Sequence, residues 1–430
     1  MVEGSDFVTY IEARLYIDEA SKTGITLGLT SIKNLLDELG NPQDELKFIH
    51  VAGTNGKGSV LAYISTILEV AGYKTGRYIS PTVQSYRERI QVNQTHIGEE
   101  AFATQLSRIK KAIDLMLDKG LSHPSVFEIE TALGFLYFKE QACDIVVMET
   151  GMGGVTDATN VIRQALVSVF TTVGRDHMEF LGDTIADLTR AKAGIIKRDS
   201  DVVYGKLPSE AEEIIKAISK QLGCPIQVTD LSNIVVHQPL RQFTQRFSYK
   251  GIDDLSIHLL GKHQIENATL AIEAVRSLQR HGFDVSDDQI KEGLAETRWF
   301  ARMTIVKQSS PVVIVDGAHN QDAVRALAET LADLFPIEKI SGVVGVFKDK
   351  EVSKMLTEIK PVIRKLHTIA LPNEKRTMKA DELKNLASNI GIASEAHGSL
   401  AEALKVASKE ADVVIAFGSL SYLGDVLKHV

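Results

Sequence analysis

Short apolar runs alternate along this chain with stretches in which apolar residues recur every three or four positions. The runs cover residues 48–52, 144–148, 165–171, 312–315 and 343–346, and each has the length of a strand buried on both faces. Val60, Ile64, Ile67, Leu68 and Ala71 follow the first run at helical spacing, and Val324, Leu327, Leu331 and Leu334 follow the fourth. Strand followed by amphipathic helix, repeated, predicts an α/β protein with largely parallel sheets. Between Asp230 and Leu260 the texture shortens, and Gln245-Arg246-Phe247-Ser248-Tyr249 alternates. Antiparallel strands at a sheet margin, closing a first domain, are expected there. Helical patterns continue to Glu296, and Thr297-Arg298-Trp299-Phe300-Ala301-Arg302 precedes a fresh strand, loop and helix. The division expected is therefore a domain of residues 1–296 followed by a smaller α/β domain of residues 297–430.

Composition narrows the class. With 430 residues and 44% hydrophobic content, the chain is long for a single core. No apolar run reaches the length of a membrane span, and Met1-Val2-Glu3-Gly4-Ser5-Asp6 lacks the basic and apolar regions of a signal peptide. A cytoplasmic location and no membrane partner are the expectation. A formal net charge of −8 argues against a nucleic-acid-binding surface, which needs excess Lys and Arg. Cys143 and Cys224 stand far apart without metal-ligand neighbours, so both are read as reduced structural thiols.

Candidate chemistry gathers where apolar runs end. After residues 48–52 comes Gly53-Thr54-Asn55-Gly56-Lys57-Gly58-Ser59. Its glycines let backbone N–H groups turn toward a polyphosphate, the helix start adds partial positive charge, Lys57 adds a full one, and Ser59 can face Mg²⁺. That chemistry points to ATP. The spacing departs from the usual phosphate loop, because Val51 stands where glycine is usual and Gly58 separates lysine from serine. An ordinary glycine-rich turn is the competing reading. Glu149 follows the second run and precedes Thr150-Gly151-Met152-Gly153-Gly154, where a carboxylate could bind Mg²⁺. His177 follows the third run, and Lys192 follows a helical stretch, where a surface lysine is the plain reading. Asp316-Gly317-Ala318-His319-Asn320 follows the fourth run, at the kind of strand end where open α/β sheets bind ligands, although Asp-Gly is also a common turn.

One ordered set of segments resembles a known family. It comprises residues 50–59, Ser80-Pro81, Arg87-Glu88-Arg89-Ile90, Phe127-Glu128, Glu149 with its glycines, Asp157-Ala158-Thr159-Asn160, Asp176-His177, Lys192-Ala193-Gly194-Ile195, Gly261-Lys262-His263-Gln264 and residues 316–320. The set is similar to the folylpolyglutamate synthase and dihydrofolate synthase family of the Mur ligase superfamily. The resemblance implies a P-loop-type, mostly parallel ATPase domain followed by a smaller Rossmann-like domain. It makes Gly53, Thr54, Asn55, Gly56, Lys57, Gly58 and Ser59 the triphosphate cradle, with Asn267, Arg302 and Asp316 on the nucleotide. It makes Ser59, Ser80, Glu149, His177 and a carbamylated Lys192 metal-site residues for two Mg²⁺ ions. Lys57, Lys192, Asp316 and His319 are the groups it implies for catalysis, and Ser80, Arg87, Asp157 and Ser419 those for substrate.

The activity implied is ATP-dependent ligation of L-glutamate to a folate or dihydropteroate through an acyl phosphate, by a monomer whose domains close about residues 297–302. Departures from the family pattern bear on the acceptor. Val155-Thr156 stand where Arg-Leu is usual, Thr82 where many members have His, Arg175 where many have Leu, Phe300 where Pro is usual and Gln321 where Pro often follows. A Mur-type ligase for another carboxylate is the second reading. A non-catalytic nucleotide-binding regulator is the third, although Lys57, Glu149, His177 and Asp316 are all present.

Overall fold

The computed structural model describes residues 7, 9–21, 28–174, 181–241, 243–373 and 375–430. They form two compact units: residues 1–80, 87–233 and 267–296 in the first, and residues 81–86, 234–266 and 297–430 in the second. The antiparallel stretch expected to close the first domain thus groups with the second unit.

The first unit is built on an eight-stranded sheet. In chain order its strands are β1 (Phe48–Ala52), β2 (Thr75–Tyr78), β3 (Ile90–Val92), β4 (Thr95–His96), β5 (Ile145–Glu149), β6 (Val167–Phe170), β7 (Asp201–Tyr204) and β8 (Ile226–Val228). Their spatial order is β4-β3-β2-β5-β1-β6-β7-β8. The six strands from β2 to β8 in that order are mutually parallel, and β3 and β4 add an antiparallel margin. Strands β1, β2, β5, β6 and β7 are buried along their whole length, which explains the largely apolar texture of β1, β5 and β6; β2 buries Thr75 and Arg77 as well.

The chain leaves β1 toward β2 on one side and later crosses from β5 to β6 on the other. That reversal opens a crevice at the carboxyl ends of β5, β1 and β6, the place where open α/β sheets take ligands. The helix Lys57–Val70 that follows β1 is buried from Gly58 to Leu68, as a helix apolar on all sides must be. Part of its cover is the helix Asp287–Glu296, where a Cβ at Gly293 would lie 2.5 Å from the Ile67 Cα. The two backbones meet at that glycine.

The second unit holds a three-stranded antiparallel sheet, β9 (Ile234–Arg241), β10 (Thr244–Tyr249) and β11 (Ile252–Ile257). It also holds a six-stranded sheet of β12 (Thr304–Lys307), β13 (Val312–Val315), β14 (Ile340–Val344), β15 (Lys365–Thr368), β16 (Ala393–Ala396) and β17 (Val413–Phe417). The order is β12-β13-β17-β14-β15-β16, parallel except for β12. Helices cover both faces through two apolar clusters, one around Leu327, Leu331, Leu356 and Ile415 and one around Val315, Leu404, Val414 and Leu423. This is the doubly wound α/β arrangement expected from sequence. Among the described residues no helix is long and apolar enough to cross a membrane.

Candidate active site

The loop after β1 is clipped to the end of β6 by backbone and hydroxyl hydrogen bonds. The Thr54 N–H donates to the Thr172 carbonyl at 2.8 Å, and the Asn55 N–H donates to Thr172 Oγ1 at 2.9 Å. Thr171 Oγ1 donates to the Asn55 carbonyl at 2.6 Å, and Thr54 Oγ1 lies 3.0 Å from both the carbonyl and the N–H of Gly174. Two glycines make this possible. Gly53 has φ +156°, and a Cβ there would fall 1.9 Å from Thr171 Oγ1. Gly56 precedes the helix in the left-handed region with φ +87°, and its Cβ would fall 2.8 Å from Asn267 Oδ1.

Lys57 folds back over this loop. Its ammonium donates to the Gly53 carbonyl at 2.9 Å and lies 3.4 Å from the Thr54 carbonyl. Ser59 is fully buried in the first turn of the helix, and its Oγ has no hydrogen-bond partner. A buried hydroxyl left in that state marks a place where a ligand or ion completes the bonding. The sequence reading named this loop but missed Thr171 and Thr172, which hold it. Their one signal was a polar pair ending an apolar run.

Ser80 and Glu149, 69 positions apart, are brought together by the pairing of β2 with β5. Tyr78 is opposite Met148, so the next residues leave the sheet side by side, and the Ser80 N–H donates to Glu149 Oε1 at 2.8 Å. Glu149 is the last residue of β5 and is buried. The following glycine loop packs on the end of the helix Ile185–Ala193, which carries buried Lys192. A Cβ at Gly154 would lie 2.7 Å from the carbonyls of Ala191 and Lys192, and the Val155 N–H donates to the Ala191 carbonyl at 2.8 Å. Lys192 is therefore a buried lysine and not the surface one that its local sequence would give. Arg87 donates to the Ile97 carbonyl at 3.0 Å and lies 3.6 Å from Glu99. Asp176 and His177 lie outside the described residues.

Asp157 organises the same loop from within. Its Oδ2 accepts from the Met152 N–H at 2.7 Å and its Oδ1 from the Thr159 N–H at 3.0 Å. Thr159 Oγ1 donates to the same Oδ1 and lies 2.8 Å from His50 Nε2. Burial raises the Asp157 carboxyl above its ordinary range, and these hydrogen bonds pull against the rise.

His50, fully buried in β1, is lowered to about 3 from 6.5 by burial and then by the Lys197 charge. Between those values the unfolded chain binds a proton that the folded one does not, so stability falls as pH drops through this window. The slope is up to about 1.4 kcal/mol per pH unit. Urea unfolding of the wild type is expected to weaken on going from neutral pH to about pH 5, and His50→Gln to show a flatter dependence. Parallel pH dependences would remove His50 as the cause.

In the second unit, Arg302, Asp316, His319 and Ser419 are grouped at the carboxyl ends of the neighbouring strands β13 and β17. Asp316 Oδ2 accepts from the Met303 N–H and Oδ1 from the Ala318 N–H, each at 2.8 Å. Arg302 sits between Ala301 and Met303, which hold left-handed φ values of +59° and +47°. Such conformations are unfavourable for residues with a Cβ and cluster at functional sites; Asp316 offsets the cost by bonding Met303. The Gly317 N–H donates to the Ala301 carbonyl at 2.9 Å, and a Cβ at Gly317 would lie 2.4 Å from Arg302 Nη1. His319 Nδ1 is 2.7 Å from the Gly317 carbonyl. The Gly418 N–H donates to the Ala318 carbonyl at 2.9 Å, which sets Ser419 beside this turn. Burial raises the Asp316 carboxyl, opposed by Arg302 and the two N–H donors.

Known proteins resemble this chain along most of its length. The Mur ligase middle domain matches residues 51–275, and the Mur ligase, glutamate ligase domain matches residues 301–420. The dihydrofolate synthase/folylpolyglutamate synthase of Bacillus subtilis (strain 168) is 32% identical, over 99% of this chain and 100% of that protein. The folylpolyglutamate synthase of Lacticaseibacillus casei is 33% identical, over 86% of this chain and 87% of that protein. The solved structure of Mycobacterium tuberculosis folylpolyglutamate synthase complexed with ADP and AMPPCP superposes with a TM-score of 0.89 at 29% identity, covering 97% of this chain and 98% of that one. Both domains and the full-length relatives lead to one conclusion: the chain belongs to the folylpolyglutamate synthase/dihydrofolate synthase family of Mur ligases.

Proposed function

We propose that this enzyme, an ATP-dependent ligase that adds L-glutamate to a folate, runs through an acyl phosphate with the following division of roles. The γ-phosphoryl group of ATP passes to a folate or dihydropteroate carboxylate, releasing ADP. The glutamate amine then attacks the acyl carbon, and the tetrahedral intermediate expels phosphate to leave an amide. Catalysis rests on positioning and charge, because the transferring group spreads negative charge over its oxygens. The cradle of Gly53 to Ser59 holds the triphosphate, and Lys57 neutralises it. Asn267 stands beside Gly56 and is assigned to the nucleotide, as are Arg302 and Asp316. His319 is assigned to the reacting groups. Ser80, Arg87, Asp157 and Ser419 are assigned to the substrates.

The residues present fit Mg²⁺. Ser59, Ser80 and Glu149 offer the oxygen donors that this ion takes, and the orphaned Ser59 hydroxyl supports one such position. When bound, Mg²⁺ stabilises charge on phosphate oxygens. A second ion would be held by His177 and a carbamylated Lys192. Lys192 is buried beside the glycine loop that follows Glu149, and that position supports its assignment to the metal site. Isotope-labelled bicarbonate is expected to add a carbamate carbon resonance to the wild type and not to Lys192→Arg. Its absence from a turning-over wild-type enzyme removes the carbamate.

The observation that carries this reading is the clipped cradle, with the Lys57 ammonium lying over it. ADP release with Mg²⁺ and L-glutamate, measured against dihydropteroate, tetrahydrofolate and methylene-tetrahydrofolate, tests the acceptor. Glutamate-dependent turnover with at least one of these is expected. Nucleotide binding with no turnover on the whole panel would favour another carboxylate acceptor, the reading that Val155-Thr156 motivates.

A further inference from the structure

The six-stranded sheet carries a polar group that the ligase chemistry does not use. His367 on β15 and Glu395 on β16 are register partners, and His397 follows Glu395 by two positions, on the same side of the strand. They lie at the margin of the sheet, three strands from β13 with its Asp316. His367 Nδ1 is 2.9 Å from His397 Nε2. The remaining ring nitrogens face carboxylates: His367 Nε2 is 2.9 Å from Glu410 Oε1, and His397 Nδ1 is 3.9 Å from Glu402 Oε1. Both rings are buried, whereas the side chain of Glu395 is 48% exposed. Lys365 Nζ pairs with Glu395 at 2.8 Å and with Glu410 at 3.0 Å.

His367 Nε2 is buried and makes no hydrogen bond, although Glu410 lies close to it. The inner nitrogens meet at 2.9 Å: one ring hydrogen-bonds the other when an inner nitrogen carries the proton, and both inner lone pairs are open to a cation when the protons sit on the outer nitrogens. One nitrogen of each ring and a Glu395 oxygen lie within 4.8 Å of one another. Two imidazoles and a carboxylate suit zinc and its neighbours and are poor ligands for Mg²⁺ or Ca²⁺. A carboxylate close behind a ring, as Glu410 is behind His367, is placed to orient a metal-bound histidine. Zinc sits about 2.0–2.1 Å from nitrogen, so the rings need to part by only a few tenths of an ångström. Glu395, half in solvent, can exchange Lys365 for the ion, while Glu410 keeps Lys365.

We propose that His367, His397 and Glu395 form a binding site for a divalent transition-metal ion of the zinc class, separate from the Mg²⁺ chemistry of ligation. The test uses the full chain, stripped with chelator and dialysed, then titrated with Zn²⁺ by calorimetry under excess Mg²⁺; Co²⁺ serves as the spectroscopic probe. Saturable binding of one equivalent is expected, with visible Co²⁺ absorption of low-symmetry intensity. His397→Ala should abolish both signals, and Glu410→Gln should weaken binding by roughly 10–100-fold. Glu395→Ala, at an exposed position, should lower affinity while leaving ADP release unchanged, and it decides the matter if His397→Ala does not fold. No saturable binding, or binding unaltered in Glu395→Ala, would overturn the proposal. Zinc held elsewhere, by the cysteines for example, would give that second result.

Discussion

Lys57→Ala is expected to lower glutamate-dependent ADP release by roughly 10²–10³-fold, the loss typical when one preorganised charge-stabilising group is removed. In the present structure the ammonium bonds to the carbonyls of Gly53 and Thr54. These neutral acceptors fix the side chain over the loop without neutralising it, so its charge is available to an incoming polyphosphate. The fold depends on it little. Its loss removes bonds worth about 1 kcal/mol each at a half-buried surface position, whereas the β1–β6 clip does not involve the side chain at all. Thermal unfolding of the variant should therefore stay near the wild type while nucleotide affinity falls. Lys57→Arg is not expected to rescue turnover, because a planar guanidinium does not replace a compact ammonium at that distance from the loop. Wild-type turnover in Lys57→Ala would sink the assignment of the cradle.

The contrast between Lys57 and Glu149 shows how much of this site was legible in the chain. The cradle is local: glycines, lysine and serine lie within seven consecutive positions after an apolar run, so its chemistry can be read directly. The Ser80–Glu149 bond is not local, because it depends on β2 pairing with β5 in one register. Asp157 illustrates a different limit. Sequence gives a carboxylate in a loop but not its bonds to the Met152 and Thr159 N–H groups, so its part in holding the loop appears only in the fold.

Strands followed the same rule. β1, β5, β6 and β13 are apolar and were readable, whereas β15 contains Lys365 and His367 and β16 is a sheet edge with half its residues exposed. A strand that carries charges has no period to betray it, and the histidine cluster there went unread for the same reason. The antiparallel strands β9 to β11 were legible by alternation, but which unit they join depends on contacts distant in sequence, and the structure groups them with the second.

Gly53→Ala is the second large effect expected, and it separates loop geometry from loop charge. An added Cβ would stand 1.9 Å from Thr171 Oγ1 and 3.1 Å from the Thr172 nitrogen. The φ of +156° adds strain for a residue with a side chain. Thr171 would have to rotate away, breaking its 2.6 Å bond to the Asn55 carbonyl and freeing one side of the cradle from β6. Overpacking of this kind costs about 1–3 kcal/mol, so both the unfolding midpoint and nucleotide affinity should drop, with Lys57 still present. Thr171→Ala removes the obstructing hydroxyl. In the double variant Gly53→Ala/Thr171→Ala part of the stability should return, with a coupling of about 0.5–3 kcal/mol, the range for side chains in direct contact. Strict additivity of the two changes in urea unfolding would mean that Gly53 is needed for its backbone conformation alone. Recovery of stability without recovery of nucleotide affinity would assign the Thr171 hydroxyl itself to shaping the cradle.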